Sequence, residues 1–212
     1  KYLWLNESFA TYFGYGVVDH YYPQWETWQQ FLYGHTASAM SRDALLENFA
    51  IEIPGGEHVV INVSTAPIIY SKGGSILRQI EGYIGAENFQ KGLQHYLKTY
   101  AYDNAASQHL WDSFEKVSEQ PIGKMMKSWI EQAGFPMIAV KKKGDKLELT
   151  QQRFTFLTND SDQTWLVPVT ICFYTDTAAA ERMTVLMDGT KHEIEITEHT
   201  NAYKLNDNQT GF

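Results

Sequence analysis

A carboxylate and a phenol stand in surroundings that could make them do chemistry. Glu7 lies within Trp4-Leu5-Asn6-Glu7-Ser8-Phe9-Ala10, an otherwise apolar and aromatic helix start. Burying a carboxylate there is costly unless a cation, hydrogen-bond donors or a metal compensates it. The same residues also read as an ordinary helix start, with Asn6 as N-cap and Glu7 favoured by the helix dipole. Tyr70 opens Tyr70-Ser71-Lys72-Gly73-Gly74, a polar patch inside an apolar helix start. Its phenol is a donor with an ordinary pKa near 10, and the glycines let another element approach the backbone closely. The competing reading is a core aromatic with a satisfied hydroxyl and Lys72 at the surface.

The seven histidines offer no zinc-ligand pair. His192-Glu193 begins an HExxH-like run that fails at its last position and falls in a strand. His20, His35, His58, His95, His109 and His199 are scattered and read as structural or solvated. Gly14-Tyr15-Gly16 and Gly55-Gly56 are too short for a phosphate loop, and no serine-centred nucleophile elbow is present.

The elements that must position Glu7 and Tyr70 are helices. Dense apolar residues from Asn6 to Tyr22 predict a helix buried on most sides, stopped by Pro23, which also opens a helix reaching about Met40 with its aromatics in the core. Asp43 to Leu46 could form a short helical turn. Ile51-Glu52-Ile53 and Val59 to Val63 read as extended pieces around Pro54-Gly55-Gly56. A third helix is expected from Ala66 to Ile84, ended by Gly85, and a fourth over Ala86 to Tyr100. Ser107 is expected to cap a helix through Val117, Pro121 to open the next, and Gly134 to close it.

At Phe135-Pro136 the apolar period changes from helical to alternating. Met137–Val140, Lys146–Arg153, Trp165–Tyr174, Arg182–Met187, His192–Thr197 and Ala202–Leu205 read as strands, with Leu147, Leu149 and Gln151 on one face. The expected class is α+β in two domains: residues 1–134 all helical, and residues 135–212 a small antiparallel β-sandwich truncated at its C-terminus.

With 212 residues, 43% of them hydrophobic, the chain can bury a real core. A net charge of −8 without a basic stripe argues against a nucleic-acid partner, and Lys141-Lys142-Lys143 before Gly144-Asp145 reads as a solvated hairpin end. No apolar run reaches the ~18 residues of a membrane span. The single cysteine, Cys172, reads as a small buried hydrophobe, which fits a reducing, cytoplasmic setting. Because the chain starts at Lys1 directly on an apolar helical motif, it is expected to be a fragment of something longer.

Three segments in order carry a resemblance: Trp4-Leu5-Asn6-Glu7-Ser8-Phe9-Ala10, then Tyr70-Ser71-Lys72-Gly73, then Trp129 with Gln132-Ala133-Gly134-Phe135-Pro136. Tyr102-Asp103-Asn104-Ala105, Leu110-Trp111, Val117-Ser118 and Gln152-Arg153-Phe154 extend it over nearly the whole chain. Together they resemble the zinc aminopeptidases of the gluzincin type: aminopeptidase N, leukotriene hydrolase and the tricorn-interacting aminopeptidases. The resemblance implies that Glu7 is the third zinc ligand of a His₂Glu site and that Tyr70 donates to the oxyanion. It also implies the end of a thermolysin-like catalytic domain, and peptides with a free N-terminus as substrates. The HExxH histidines, the general-base glutamate and the Gly-x-Met-x-Asn segment would lie upstream, in the rest of the catalytic domain.

The chain departs from the family pattern at Phe49-Ala50-Ile51, where many members carry His-Pro-Ile, at Thr65-Ala66, where many carry Phe-Asp, and at Tyr2, where an Asp is common. These positions line or support the family's substrate cleft. With one carboxylate and no partner imidazoles, the isolated chain is expected to be inactive and to bind zinc weakly or not at all. The alternative reading is a non-enzymatic interaction module from a degenerate paralogue; the persistence of both Glu7 and Tyr70 argues for the enzyme.

Overall fold

The computed structural model describes residues 3–52, 60–158, 161–176, 181–196 and 200–212. Its first helix, α1 (Leu3–Tyr21), buries Trp4, Leu5, Ser8 and Tyr12 along one stripe. It starts before Asn6, so Asn6 is an interior residue and not the N-cap. Nor is α1 buried on most sides: Phe13, Val17 and Tyr21, spaced by four, are 42%, 53% and 70% exposed. The apolar density covers two faces, and only one meets the rest of the described fold.

Pro23 does not open one regular helix. Pro23–Trp25 form a 3₁₀ turn, and Glu26 at φ 51° breaks the direction before α2 (Thr27–Phe31). A π-helical turn (Leu32–Thr36) then leads into α3 (Ala37–Asp43). Phe31 is wholly buried while Trp25 is 55% exposed and stacked on Tyr22, so only part of this aromatic set is core. Ile51 and Glu52 lie in bends rather than a strand, and residues 60–66 turn about Asn62, whose side chain accepts from the Ser64 and Thr65 backbones. Ile53 to Val59 lie outside the described residues.

A second π-helical turn, Pro67–Lys72, runs without a break into α4 (Gly73–Ile84), which Gly85 ends at φ 82°. The antiparallel pair α5 (Ala86–Thr99) and α6 (Ser107–Ser118) comes next. Ser107 is the first helical residue and not the cap; the exposed end is satisfied by His109 Nδ1, which accepts from the Ala106 N–H at 3.2 Å. α7 (Ile122–Ile130) ends four residues before Gly134, so that glycine does not close it.

β1 (Pro136–Lys143) and β2 (Lys146–Arg153) form the expected hairpin, closed by Lys143 opposite Lys146, with Lys143 2.7 Å from Glu148. β5 (Lys191–Glu195) pairs with the other edge of β2. The second sheet places β3 (Val167–Tyr174) between β4 (Glu181–Met187) and β6 (Ala202–Leu205). Leu147, Leu149 and Gln151 point inward together, and Cys172 is buried. Trp165 and Leu166 precede β3 instead of belonging to it, because their N–H groups go to Gln151 Oε1 and Ser128 Oγ and not to a ladder. Thr197 and the turn at Asn159-Asp160 lie outside the described residues.

Helices and sheets share one continuous apolar cluster. Trp129 Nε1 donates to Leu166 O at 2.8 Å, and the Phe212 N–H donates to Gln79 Oε1 at 2.9 Å. The Phe212 ring packs edge-on against Trp129 and Phe135. Among the described residues no helix is long and apolar enough to cross a membrane.

Candidate active site

Glu7 is half-buried on α1, with fully packed Trp4 and Ser8 beside it. Its neighbour across the fold is Tyr70, on the π-helical turn that leads into α4. The two residues singled out by the sequence, 63 positions apart, are therefore neighbours: the Glu7 carboxylate is close enough to act on the Tyr70 phenol. Desolvation, and then the adjacent Glu7 acceptor and its charge, push the phenol above its ordinary pKa. Tyr70 thus keeps its proton at neutral pH and remains a donor.

Two contacts fix this pairing. Ser8 Oγ donates to the Ile69 carbonyl at 2.8 Å, joining the residues next to Glu7 and Tyr70. Gly73 lies so close to α1 that a Cβ there would fall 1.9 Å from Ser8 Oγ and 2.9 Å from Ser8 Cβ. The glycine of Tyr70-Ser71-Lys72-Gly73 is therefore required by a helix crossing and not by a ligand. Gly73→Ala is expected to destabilise the chain by about 1–3 kcal/mol through overpacking. Ser8→Gly on that background is expected to recover part of the loss, which denaturant unfolding of the single and double variants would check.

The π turn shapes what each of its side chains can reach. An extra residue in a helical turn rotates the residues on its N-terminal side relative to those on its C-terminal side. Here Ile68, Ile69, Ser71 and Lys72 are all buried while Tyr70, like Pro67 at the start of the turn, stays half-open. The first π turn, Leu32–Thr36, packs against the second: His35 Nδ1 lies 2.9 Å from Ser71 Oγ, and Thr36 Oγ1 lies 2.9 Å from Ser75 Oγ. His35 stacks on Phe31 and meets Tyr15 edge-on, and burial pushes its pKa down, which favours the neutral ring.

Lys72 is the clearest difference from the sequence reading. It is not at the surface; its side chain and that of Asp43 are both 0% exposed, with Nζ 2.8 Å from Asp43 Oδ2. Nζ also donates to Gly134 O at 3.0 Å, and the Gly134 N–H donates to Asp43 Oδ1 at 2.9 Å. Gly134 adopts φ 92°, and a Cβ on it would come within 2.7 Å of Arg153 Nε. That residue closes this buried polar knot instead of ending α7. A second buried carboxylate, Glu52, accepts from Trp4 Nε1 at 2.9 Å.

Among the described residues no other histidine joins Glu7; His20 lies in the last turn of α1. His95 bonds Ser113, His109 caps α6, His192 is on β5, and His58 and His199 lie outside the described residues. Among the described residues no three His, Cys, Asp or Glu side chains come together as a metal site. Glu7 fits one oxygen ligand of a divalent ion: it is a half-buried carboxylate on a helix, with a phenol beside it. A closed set needs further donors.

The description "Peptidase family M1 domain" matches residues 1–129. Over 210 residues the chain is 37% identical to "Probable aminopeptidase 2" of Sulfurisphaera tokodaii, covering 99% of this chain and 26% of that protein. It is 38% identical over 210 residues to "Tricorn protease-interacting factor F2" of Thermoplasma volcanium, covering 99% of this chain and 25% of the relative. With "Aminopeptidase M1" of Arabidopsis thaliana it shares 41% identity over 170 residues, 80% of this chain and 19% of that protein. The chain thus spans about a quarter or less of the length of these relatives.

Proposed function

The chain belongs to peptidase family M1, and from that premise we propose that it contributes two working groups of a zinc aminopeptidase: Glu7 as a metal ligand and Tyr70 as donor to the oxyanion. The observation that supports this reading is the packing that brings the two side chains together, through the Ser8–Ile69 bond and the close approach of Gly73 to α1. It puts a protonated phenol beside the one carboxylate that the family motif assigns to the metal. In the same reading residues 1–134 complete a thermolysin-like catalytic domain, residues 135–212 form a β-sandwich domain, and the two histidine ligands and the general base lie outside these 212 residues.

A zinc ion bound there supplies Lewis-acid polarisation of a carbonyl and activation of a water. The chain's own residues do the rest of what can be derived. Glu7 presents a fixed negative charge, and the Ser8–Ile69 bond and the Gly73 contact keep it in register with Tyr70. Tyr70, held protonated by its surroundings, gives a hydrogen bond to the oxygen that gains charge as the first peptide bond of a substrate is attacked. The substrates are peptides with a free N-terminus.

The test compares the isolated chain with the complete polypeptide that contains it. The complete polypeptide is expected to hydrolyse amino-acyl amides and to carry stoichiometric zinc. The isolated chain is expected to do neither, since one carboxylate without imidazoles is a weak site. Stoichiometric zinc or measurable turnover in the isolated chain would overturn the division of the site proposed here. A complete polypeptide without turnover would overturn the enzyme reading itself.

A further inference from the structure

We infer that the buried pair Lys72–Asp43 is a positioning device for Tyr70, holding the π-helical turn in the phase that aims the phenol at Glu7. The inference rests on the proposed role of Tyr70. It starts from an oddity of placement: Lys72 and Asp43 are both 0% exposed, in a fold whose neighbouring positions Ile68, Ile69, Ile76 and Leu77 are apolar. Stability alone does not call for an ion pair there, because well-packed apolar residues of similar volume do as well or better. What an ion pair adds is direction.

That direction is over-determined. Lys72 Nζ reaches Asp43 on α3 at 2.8 Å and Gly134 O at 3.0 Å, while the Gly134 N–H and the Asn48 side chain hold Asp43 Oδ1. The Phe212 ring lies 5.7 Å from Nζ. Three separate segments are thereby tied to the last residue of the π turn. Tyr70 stands two residues earlier in the same π turn, about half a turn around the helix axis, so anchoring Lys72 in the core presents Tyr70 on the opposite side, toward α1. On that side the Ser8 hydroxyl grips Ile69 O. The turn is held from both faces, and a change in its phase would move Tyr70 away from Glu7. Lys72 touches neither Glu7 nor the reacting atoms, so it acts through Tyr70 alone.

The experiment uses the complete polypeptide and measures kcat and KM on amino-acyl amides for Tyr70→Phe, for Lys72→Met with Asp43→Asn, and for the triple variant. The Asn keeps an acceptor for Gly134 while the pair loses both charges. The double variant is expected to lower kcat about 10- to 100-fold with KM little changed, the scale of a misplaced catalytic group. It is expected to cause no further loss when Tyr70 is already Phe. Asp43→Asn alone keeps the Lys72 stem, and burial pushes the Lys72 pKa down so that the stranded amine can shed its charge; it is expected to act in the same direction with the same non-additivity, and it decides the matter if the double variant does not fold. A kcat within twofold of wild type, or the same fold-loss on the Tyr70→Phe background as on wild type, would overturn the inference. If Tyr70→Phe itself is silent, the oxyanion role falls first and the positioning role with it, an outcome distinct from a silent Lys72 pair beside a damaging Tyr70→Phe.

Discussion

Tyr70→Phe in the complete polypeptide is expected to lower kcat about 10²- to 10³-fold, the cost of removing one oxyanion donor, with little change in KM. The substitution takes away a single hydroxyl and keeps the ring, so packing against the buried Ile68–Lys72 backbone is retained. Its effect on stability is expected to stay within about 1 kcal/mol, the net value of one hydrogen bond. The reason for a large effect on rate is that the phenol is a protonated donor at neutral pH, a state that desolvation and the Glu7 carboxylate only reinforce. It is therefore available as a donor when charge develops, and a Phe ring offers nothing in its place. The loss should appear in kcat, because the interaction strengthens as the oxygen gains charge. Single-turnover and steady-state assays on amino-acyl amides would show it, and an unchanged rate would remove Tyr70 from the mechanism.

The second large effect is on stability. Lys72→Met alone is expected to cost about 3–5 kcal/mol, because it leaves Asp43 as a buried carboxylate without its cation. Asp43 would keep the Gly134 N–H and the Asn48 amide, but neither carries charge. Against a typical total of about 5–15 kcal/mol, that loss is large. Adding Asp43→Asn to Lys72→Met is expected to recover at least half of it, since a neutral amide retains the acceptor and removes the uncompensated charge. Urea midpoints of the two variants separate the outcomes: equal destabilisation in both would mean that packing of the Lys72 stem, and not its charge, is what the site needs.

Much of this arrangement is legible in the sequence, and the parts that are not share a cause. Helix periods, the change to alternation at Pro136 and the inward face of Leu147, Leu149 and Gln151 are local patterns, and the structure obeys them. Glu7 and Tyr70 can be singled out because each stands against its own apolar surroundings. Their contact cannot be read from composition or periodicity, since it depends on a helix crossing that Ser8 and Gly73 help to form. Lys72 reads as a surface residue because its partners, Asp43 and Gly134, lie 29 and 62 positions away. The available hint is a lone lysine inside a buried apolar stretch.

Other misreadings have equally specific origins. The apolar density of α1 predicts burial on most sides, yet Phe13, Val17 and Tyr21 form a second, open face. Periodicity reports that a face is apolar and says nothing of what covers it. Asn6 carries a good capping side chain but stands inside the helix, where that propensity is overridden. The two π turns have no signature in residue type, and they set the phase of both His35 and Tyr70.

The zinc content of the complete polypeptide, compared between wild type and Glu7→Gln, tests the central claim most directly. Gln keeps the shape of Glu7, and its side-chain oxygen can still accept from Tyr70, while the negative charge that makes it a metal ligand is gone. The account predicts stoichiometric zinc in the wild type, and loss of both zinc and turnover in Glu7→Gln, with the fold retained. Stoichiometric zinc and undiminished turnover in Glu7→Gln would contradict it.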